Sequence, residues 1–383
     1  MSNKWEITSF GELACRRTSS WKPGDGETFY IGLEHIAPYE LRLVGIGSSA
    51  EVASNKTEFR TGDILFGKLR PYFQKVVRTA FDGVCSTDIW AIYSIDSTRV
   101  HPAYLHWLVA DPNFSEFANS AETGTRMPRA SWQWVGTYEV SLPSVDEQRR
   151  IAEVLDTFDD RIKSALRKEK LLGEAILAEY GLALLDRSHE EVISLVDAVS
   201  FINGGAYTKG ADGTGRMVIR IKELNSGPSE TTVYSSITVP DNKTAYPGDV
   251  LFAWSGSLGV WRWYRDEAIV NQHIFKVLPK KHPVWLGWIH ILDELERFQD
   301  IAAGKATTMG HITKDHLERT MVPTFSTEEL KALSARVEPL WDAQMQAGRE
   351  MQTLQAVRAQ LLPALVSGEL RVVAAEELVE ITA

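Results

Sequence analysis

Cysteine is scarce in this sequence, and long apolar runs are missing. The chain of 383 residues has two cysteines, Cys15 and Cys85, which do not support a disulfide framework and favour a reducing environment. No apolar run approaches the roughly 18–20 residues that span a bilayer. The first ten residues contain no apolar signal-peptide core. We therefore expect a cytoplasmic protein.

Motifs of the common catalytic and metal centres are also missing. The sequence contains no GxxxxGK[ST], GxGxxG, HExxH, CxxC or GxSxG pattern. Residues 302–308, AAGKATT, lack the upstream glycine of a phosphate-binding loop. Glu329 and Lys331 resemble half of a nuclease motif, but no acidic partner precedes them at a suitable distance. We expect no catalytic residue, metal site or cofactor in this chain.

An overall excess of positive charge is missing as well, because the formal net charge is −10. Nucleic-acid binding needs Lys and Arg against the phosphates, but a local cluster is sufficient. Such a cluster is present between residues 68 and 78, which hold four bases and no acid. A local basic surface is therefore compatible with the acidic total.

What the sequence does contain is an internal duplication. GDILF at residues 62–66 recurs as GDVLF at residues 248–252. The flanking segments correspond in the same order: 29–36 with 217–224, 82–94 with 267–279, and 123–150 with 303–330. The chain is thus two copies of a unit of about 185 residues, which indicates domain duplication and excludes a solenoid of short repeats.

Each copy predicts short strands followed by one long helix. Val, Ile, Tyr, Trp and Phe, interrupted by Gly, Pro and Asp, are typical of strands and turns. Ser326 and Glu329 form a capping box before a heptad repeat with polar positions at Gln344 and Arg358. Each long helix is expected to pair with the other, the alternative being that it packs only on its own domain. The residues predicted to form the helix-pairing seam are Ile151, Leu155, Phe158, Ile162, Leu330, Leu333, Val337, Leu340, Met351 and Leu354.

The predicted fold class is α+β, with two duplicated domains of small mixed sheets and helices separated by two long helices that form an antiparallel coiled coil. The predicted boundaries are 1–143 for the first domain, 144–187 for the central helix, 188–325 for the second domain, 326–370 for the distal helix and 371–383 for a carboxy-terminal tail.

Bases and hydrogen-bonding side chains gather in corresponding segments of the two copies. Arg and Lys can neutralise phosphates, and Arg and Ser can also contact base edges. For any single base, a solvated surface charge is the alternative. The candidate DNA-binding residues are Lys68, Arg70, Lys75, Arg78, Arg126, Arg129 and Ser131 in the first copy, and Lys209, Arg216, Arg220, Lys222, Ser255, Ser257, Lys305, Thr307, Thr308 and His311 in the second.

Several segments together resemble a known family. GDILFGKLRPYFQK, CSTDIWAI, TGTRMPRASW, LPSVDEQRRIAEVLDTFDDRI, VIRIKELN, GDVLF and LLPALVSGELRV resemble the specificity subunit of type I restriction-modification systems. The resemblance runs nearly from end to end, and the ordered set is more specific than any one motif. The second copy departs from it by replacing KLRPY with AWSGSLG.

The resemblance implies a non-catalytic subunit in which each copy recognises one half of a split site in double-stranded DNA. It implies that the paired helices set the spacer and dock two methyltransferase subunits, and that restriction and translocase subunits join them. S-adenosylmethionine, ATP and magnesium would act in those partners. Two alternatives remain open: a stand-alone DNA-processing enzyme such as a nuclease, and a coiled-coil scaffold that binds only protein.

Overall fold

The computed structural model describes residues 5–120, 127–187, 190–229, 231–304 and 310–382, and within the last range it leaves out the side chains of residues 378–382. The described chain divides into two compact units. Unit 1 comprises residues 1–161 and 354–383, and unit 2 comprises residues 162–353. Each unit therefore includes part of both long helices, whereas the predicted domains set the helices apart.

Unit 1 places small sheets and short helices ahead of the first long helix. Residues 33–35, 49–51 and 71–73 form single 3₁₀ turns. The elements are β1 (Glu6–Ser9), α1 (Phe10–Leu13), β2 (Ala14–Arg16), β3 (Ser20–Trp21), β4 (Phe29–Ile31), β5 (Gly47–Ser48), β6 (Lys56–Phe59), β7 (Ile64–Gly67), β8 (Val76–Arg78), β9 (Gly83–Cys85), β10 (Ile89–Ser94), α2 (Pro102–Ala110), α3 (Pro112–Asn119), α4 (Trp132–Val135), β11 (Glu139–Leu142) and α5 (Val145–Asp186).

Two larger sheets and one strand pair make up the β structure of unit 1. One sheet has the antiparallel order β2-β10-β7-β8, and the other has the order β3-β6-β9-β4-β5 with β4 and β9 parallel. Strand β1 pairs with β11. Strand β7, ILFG, is buried at all four positions, because it is a central strand covered on both faces.

Unit 2 contains strands and helices that correspond, in order along the chain, to most of those of unit 1. Residues 241–243 form a 3₁₀ turn. The elements are β12 (Val192–Ser194), α6 (Leu195–Ala198), β13 (Val199–Asn203), β14 (Arg216–Ile219), α7 (Ile221–Ser226), β15 (Tyr234–Ser235), β16 (Thr244–Ala245), β17 (Val250–Ala253), β18 (Gly259–Arg262), β19 (Ala268–Val270), β20 (Ile274–Pro279), α8 (Val284–Asp293), α9 (Leu295–Ala303), α10 (Lys314–Arg319), β21 (Met321–Pro323), α11 (Thr327–Ser367) and α12 (Val372–Thr382).

The sheet topology of unit 2 largely repeats that of unit 1, except that the five-stranded sheet corresponds to a four-stranded one, β15-β14-β19-β16, without a counterpart of β3. The order β13-β20-β17-β18 corresponds to β2-β10-β7-β8, and β12 pairs with β21 as β1 pairs with β11. Strands β14 and β19 are parallel, as are β4 and β9. The structure thus agrees with the duplication seen in the sequence, down to strand direction.

The repeated Gly-Asp dipeptide has a structural role. Gly62 and Gly248 have φ values of 90° and 98°, which favour glycine. Asp63 accepts a hydrogen bond from the Arg60 N–H at 2.9 Å, and Asp249 accepts one from the Tyr246 N–H at 2.7 Å. Each carboxylate closes a tight turn into the central strand, and each is also paired with a cation.

Within unit 2, α5 from residue 162 packs antiparallel against α11 up to residue 353. Gln344 donates to Glu169 at 3.0 Å, and Arg336 contacts Glu179 at 2.8 Å. The capping box forms as predicted, because Ser326 and Glu329 exchange hydrogen bonds of 2.8 and 3.3 Å. Of the predicted seam residues, Ile162, Leu333 and Val337 are buried, whereas Leu330, Leu340 and Met351 are partly buried.

Within unit 1, the first part of α5 packs against the last part of α11 and α12. Arg358 and Asp159 form a buried ion pair between the two long helices. Arg150 pairs with Glu376 of α12 at 2.5 Å. The segment predicted as a carboxy-terminal tail is therefore helical over most of its length. The predicted seam residues Ile151, Leu155, Phe158 and Leu354 are all buried.

The prediction of an α+β fold with duplicated domains and an antiparallel helix pair is confirmed. Among the described residues, no helix is both long and apolar enough to cross a membrane.

Candidate nucleic-acid interface

The same pairing of two backbone segments follows the central strand of both units. In unit 1, residues 68–70 pair with residues 128–130: the Arg70 N–H donates to the Pro128 carbonyl at 2.8 Å, and the Ala130 N–H donates to the Lys68 carbonyl at 2.9 Å. We call this pair of segments, with the side chains around it, apex 1. Its position after the shared strand is the point at which the two copies diverge in sequence.

In unit 2, residues 254–256 pair with residues 310–312 in the same way. The Gly256 N–H donates to the Gly310 carbonyl at 3.3 Å, and the Ile312 N–H donates to the Trp254 carbonyl at 2.8 Å. We call this pair, with its surrounding side chains, apex 2. The two apices thus share a backbone and can be compared position by position.

Apex 1 is cationic. Arg129 contacts Asp88 at 3.3 Å, and its side chain is 56% exposed. Burial lowers the pKa of Lys68, the nearby Asp88 carboxylate opposes that shift, and the charges of Arg16 and Arg129 add to it. The Arg16 guanidinium lies 5.7 Å from the centre of the Trp132 ring. Two further cations and one carboxylate therefore lie close enough to act on the Lys68 ammonium, which leaves an excess of positive charge for an anionic partner.

Apex 2 presents indole and imidazole rings and the side-chain amide of Asn203. Trp254 takes the position of Lys68, and its indole N–H donates to Asn203 at 3.0 Å. His273 takes the position of Asp88, with its ring 5.0 Å from that of Trp254. His311 takes the position of Arg129 and is exposed. Hydrogen bonding and stacking are the interactions that this set offers, in contrast to the charge of apex 1.

Three predicted serines lie at the apices. Ser131 accepts a hydrogen bond from the Trp134 N–H at 3.5 Å as the N-cap of α4. Ser255 is buried in the bridge to His311, whereas Ser257 is exposed. Ser257 is thus the serine best placed for an external contact.

Other predicted bases are engaged within the fold. Lys75 donates to the Leu33 carbonyl at 2.5 Å, and burial lowers its pKa. Arg78 lies at the opposite end of β8 from apex 1 and contacts Asp156 of α5 at 3.3 Å. The structure does not bring these two bases together with Lys68 and Arg129, so their DNA contacts remain predictions.

The bases predicted around β14 have similar internal partners. Arg216 pairs with Glu267, and Arg220 pairs with the buried Glu223 at 2.6 Å, which raises the pKa of Arg220. Lys222 donates to Ser229 at 2.9 Å, and Lys209 is exposed. Arg216 and Arg220 hold loops in place, whereas Lys209 keeps its charge at the surface.

Four predicted residues lie outside the described part of the chain: Arg126, Lys305, Thr307 and Thr308. The segments that contain them, 121–126 and 305–309, immediately precede the second strand of each apex. Their predicted DNA contacts remain predictions.

Comparison with known proteins finds a similarity to type I specificity subunits. Residues 4–172 match the type I restriction modification DNA specificity domain. The specificity subunit of the Methanocaldococcus jannaschii type I restriction enzyme MjaIX is 22% identical over 410 aligned positions, covering 96% of this chain and 93% of that one. The amino-terminal part of the chain is thus similar to the type I specificity domain, and nearly the whole chain aligns with one specificity subunit at low identity.

A second specificity subunit and a solved structure extend this family match. The subunit of the Escherichia coli enzyme EcoDI is 29% identical over 187 residues, which cover 46% of this chain and 41% of that relative. The crystal structure of the type I S subunit from M. genitalium is 13% identical with a TM-score of 0.56, covering 96% of this chain and 97% of that one. That likeness concerns the fold alone.

The residues predicted from the sequence did not include Arg16, Asp88, Asn203 or His273. Arg16 stands on β2, whose pairing with β10 places it opposite Ile92 and close to apex 1. Asn203 stands at the end of β13, the equivalent strand of unit 2. The registers of β10 and β20 align Arg16 with Phe201 and not with Asn203, so the alignment of the two copies does not superpose these two residues.

Proposed function

We propose that this chain is the DNA-recognition subunit of a type I restriction-modification complex and that each unit recognises one half of a bipartite site. The observation that carries the proposal is the shared backbone of the two apices with different side chains on it. A duplicated scaffold with divergent tips suits two different half-sites. The specificity domain matched by residues 4–172 supports the same function.

The distribution of charge supports a DNA partner despite the net charge of −10. Arg16, Lys68 and Arg129 gather positive charge at apex 1, where phosphates can be neutralised and counterions released. Protein partners that also contact the phosphates would supply further positive charge. The acidic total is then a property of the surfaces away from the DNA.

We infer that the long helices set the unread spacer. Helices α5 and α11 have 42 and 41 residues, a length of about 60 Å each at ~1.5 Å per residue. One turn of DNA measures ~34–36 Å, so rods of this length can separate two recognition units by such a distance. The buried pair Arg358–Asp159 and the hydrogen bond Gln344–Glu169 specify the register of the helices.

We also infer the division of labour in the complex. Two methyltransferase subunits would dock on the duplicated helical surface, and restriction and translocase subunits would join them. S-adenosylmethionine, ATP and magnesium would be bound by those partners. This chain would contribute recognition and assembly without catalysis, in the cytoplasm.

The test is to map methylated adenines in a host that carries this gene, with and without an in-frame deletion of it. We expect a split, two-part methylated motif that disappears on deletion and returns when the gene is restored. A two-part motif that persists unchanged in the deletion strain would contradict the proposal. A matched control strain that lacks the methyltransferase gene should lose the same motif.

A further inference from the structure

Arg70 in apex 1 has a strained backbone. Its φ and ψ values of 53° and 65° lie in the left-handed region, which residues other than glycine, asparagine and aspartate rarely adopt. Pro71 follows it, and a residue before proline is ordinarily restricted to extended conformations. The conformation is held by the hydrogen bond from the Arg70 N–H to Pro128 and by that from the Phe73 N–H to the Arg70 carbonyl at 3.1 Å.

No hydrogen bond or ion pair of the Arg70 side chain with a described residue explains this strain. Its Nε is buried without a hydrogen-bond partner. No ion pair or hydrogen bond joins the guanidinium to another residue in the described part of the chain. By contrast, Arg17 pairs with Asp63 and Arg220 pairs with Glu223. Among the residues that the structure describes, Arg70 is therefore a cation in a costly conformation without a polar partner.

Unit 2 shows that the backbone shape does not need an arginine. The equivalent position is Gly256, with a φ of 70° and the same hydrogen bond across the apex. Glycine adopts this conformation without steric cost. An added Cβ at Gly256 would meet Ile221 at 3.7 Å, which is an ordinary contact, so the position also has room for a side chain. Strain without an internal benefit is typical of residues that contact a ligand.

Resting on the proposed function, we propose that Arg70 is a DNA-contacting residue of apex 1 whose guanidinium binds a pair of acceptor oxygens or nitrogens on the duplex. A phosphate and the O6/N7 edge of guanine both offer such acceptors to a guanidinium. Unit 2 has no arginine at this position, so the contact would belong to one half-site only.

The experiment compares Arg70→Gly with Arg70→Ala in the full chain. Both variants remove the guanidinium, but only glycine removes the strain. We expect each to weaken binding of the selected target duplex by about ten- to a hundredfold, the size of a lost charge-assisted contact. We expect Arg70→Gly to melt about 2–4 °C above Arg70→Ala, and no lower than the unsubstituted chain. Gly256→Ala is the matched control, which should lower the melting temperature by a similar amount.

The probe is a pool of randomised double-stranded DNA, selected on the unsubstituted chain and then on the variants at several salt concentrations. A salt dependence reduced by about one phosphate contact with an unchanged motif assigns the acceptor to the backbone. A relaxed base at one position of one half-site assigns it to guanine. Unchanged affinity and motif in both variants would overturn the proposal, as would an affinity loss that only follows a lowered melting temperature in Arg70→Gly. Failure of the unsubstituted chain to select any sequence would instead contradict the proposed function, and this inference with it.

Discussion

Apex 1 and apex 2 share the same backbone hydrogen bonds but carry side chains of different chemistry. Position by position, Lys68 corresponds to Trp254, Asp88 to His273 and Arg129 to His311, while the hydrogen bonds that join the paired segments are kept. Backbone hydrogen bonds do not depend on side-chain identity, so the tip can vary without loss of the fold. The comparison teaches that the scaffold and the recognition surface are separable in this molecule.

The same contrast is found deeper in each unit, at the aspartate of the Gly-Asp turn. In unit 1 the Asp63 side chain is 3% exposed and its partner Arg17 is 23% exposed. In unit 2 the partner Lys276 is 5% exposed and Asp249 is 22% exposed. The turn is common to both units, but the buried member of the ion pair is the acid in one and the base in the other.

The largest expected effect concerns the two polar layers of the helix pair. Arg358→Met would break the buried ion pair with Asp159, and we expect a loss of about 3–5 kcal/mol in the free energy of unfolding. Gln344→Leu in unit 2 should cost only about 1–2 kcal/mol, because Glu169 keeps the hydrogen bond from Tyr264 at 2.7 Å. Urea unfolding measures both.

The control for this prediction is the double variant Arg358→Met with Asp159→Leu. Replacing both members of a buried pair by apolar residues removes both charges from the site, so most of the lost stability should return. Equal losses for Arg358→Met and Gln344→Leu would contradict the distinction between the two layers.

The next effect is a pH dependence located in unit 2. Burial lowers the pKa of His282 to about 4 and that of His290 to about 3, and the two rings contact each other at 3.2 Å. In the unfolded chain both titrate near 6.5, so the unfolded state binds more protons below that value. Stability should therefore be full above pH 6.5 and fall as the pH drops toward 4, by about 1–2 kcal/mol per histidine at pH 5.

Unfolding of the full chain by urea at pH 7 and pH 5 tests this. The variant His282→Gln with His290→Leu should show a smaller loss between the two pH values. His101→Gln in unit 1 is the matched control: burial lowers the pKa of His101 as well, but that residue is only half-buried, so its removal should change little. A pH dependence identical in all three proteins would refute the assignment.

The paired aspartates give the third prediction. Arg17→Met leaves the buried Asp63 without a counter-charge, and we expect a loss of about 2–4 kcal/mol. Lys276→Met leaves Asp249 with access to water, and we expect a loss of about 1 kcal/mol or less. Thermal and urea unfolding of the two variants should give that order. The reverse order would show that burial of the remaining partner does not decide the cost.

The smallest effect is on the salt dependence of DNA binding. Lys68→Ala with Arg129→Ala removes two cations from apex 1, and the slope of log affinity against log salt should fall by about 0.9 for each of the two that contacts a phosphate. Asn203→Ala with His311→Ala in apex 2 should weaken binding and leave the slope unchanged, because neither substitution removes a lysine or an arginine. Equal slopes for the two variants would mean that the apices do not differ in charge contacts.

Much of the fold could be predicted because it depends on local patterns. The duplication and the Ser326–Glu329 capping box are visible in the sequence and agree with the structure. The Gln344 and Arg358 positions interrupt the apolar seam in sequence, and the structure gives each a polar partner on the facing helix.

The candidate site could be predicted only in part, because charge alone does not reveal a partner. Lys75 and Arg220 looked like Lys68 and Arg129 in sequence, yet the first is bonded to the Leu33 carbonyl and the second to Glu223. Arg16 reaches apex 1 only through pairing of β2 with β10, a contact between residues more than 70 positions apart. Long-range register of this kind is not encoded in any local window.

The central claim is that each unit recognises its own half of a bipartite DNA site through its apex. The most direct measurement maps methylated adenines in three otherwise identical strains, carrying the unsubstituted chain, Lys68→Ala with Arg129→Ala, or Asn203→Ala with His311→Ala. We predict that each double variant relaxes the base preference in one half of the motif, that the two variants affect different halves, and that the spacer keeps its length. Loss of preference in the same half, or in both halves together, would contradict the claim.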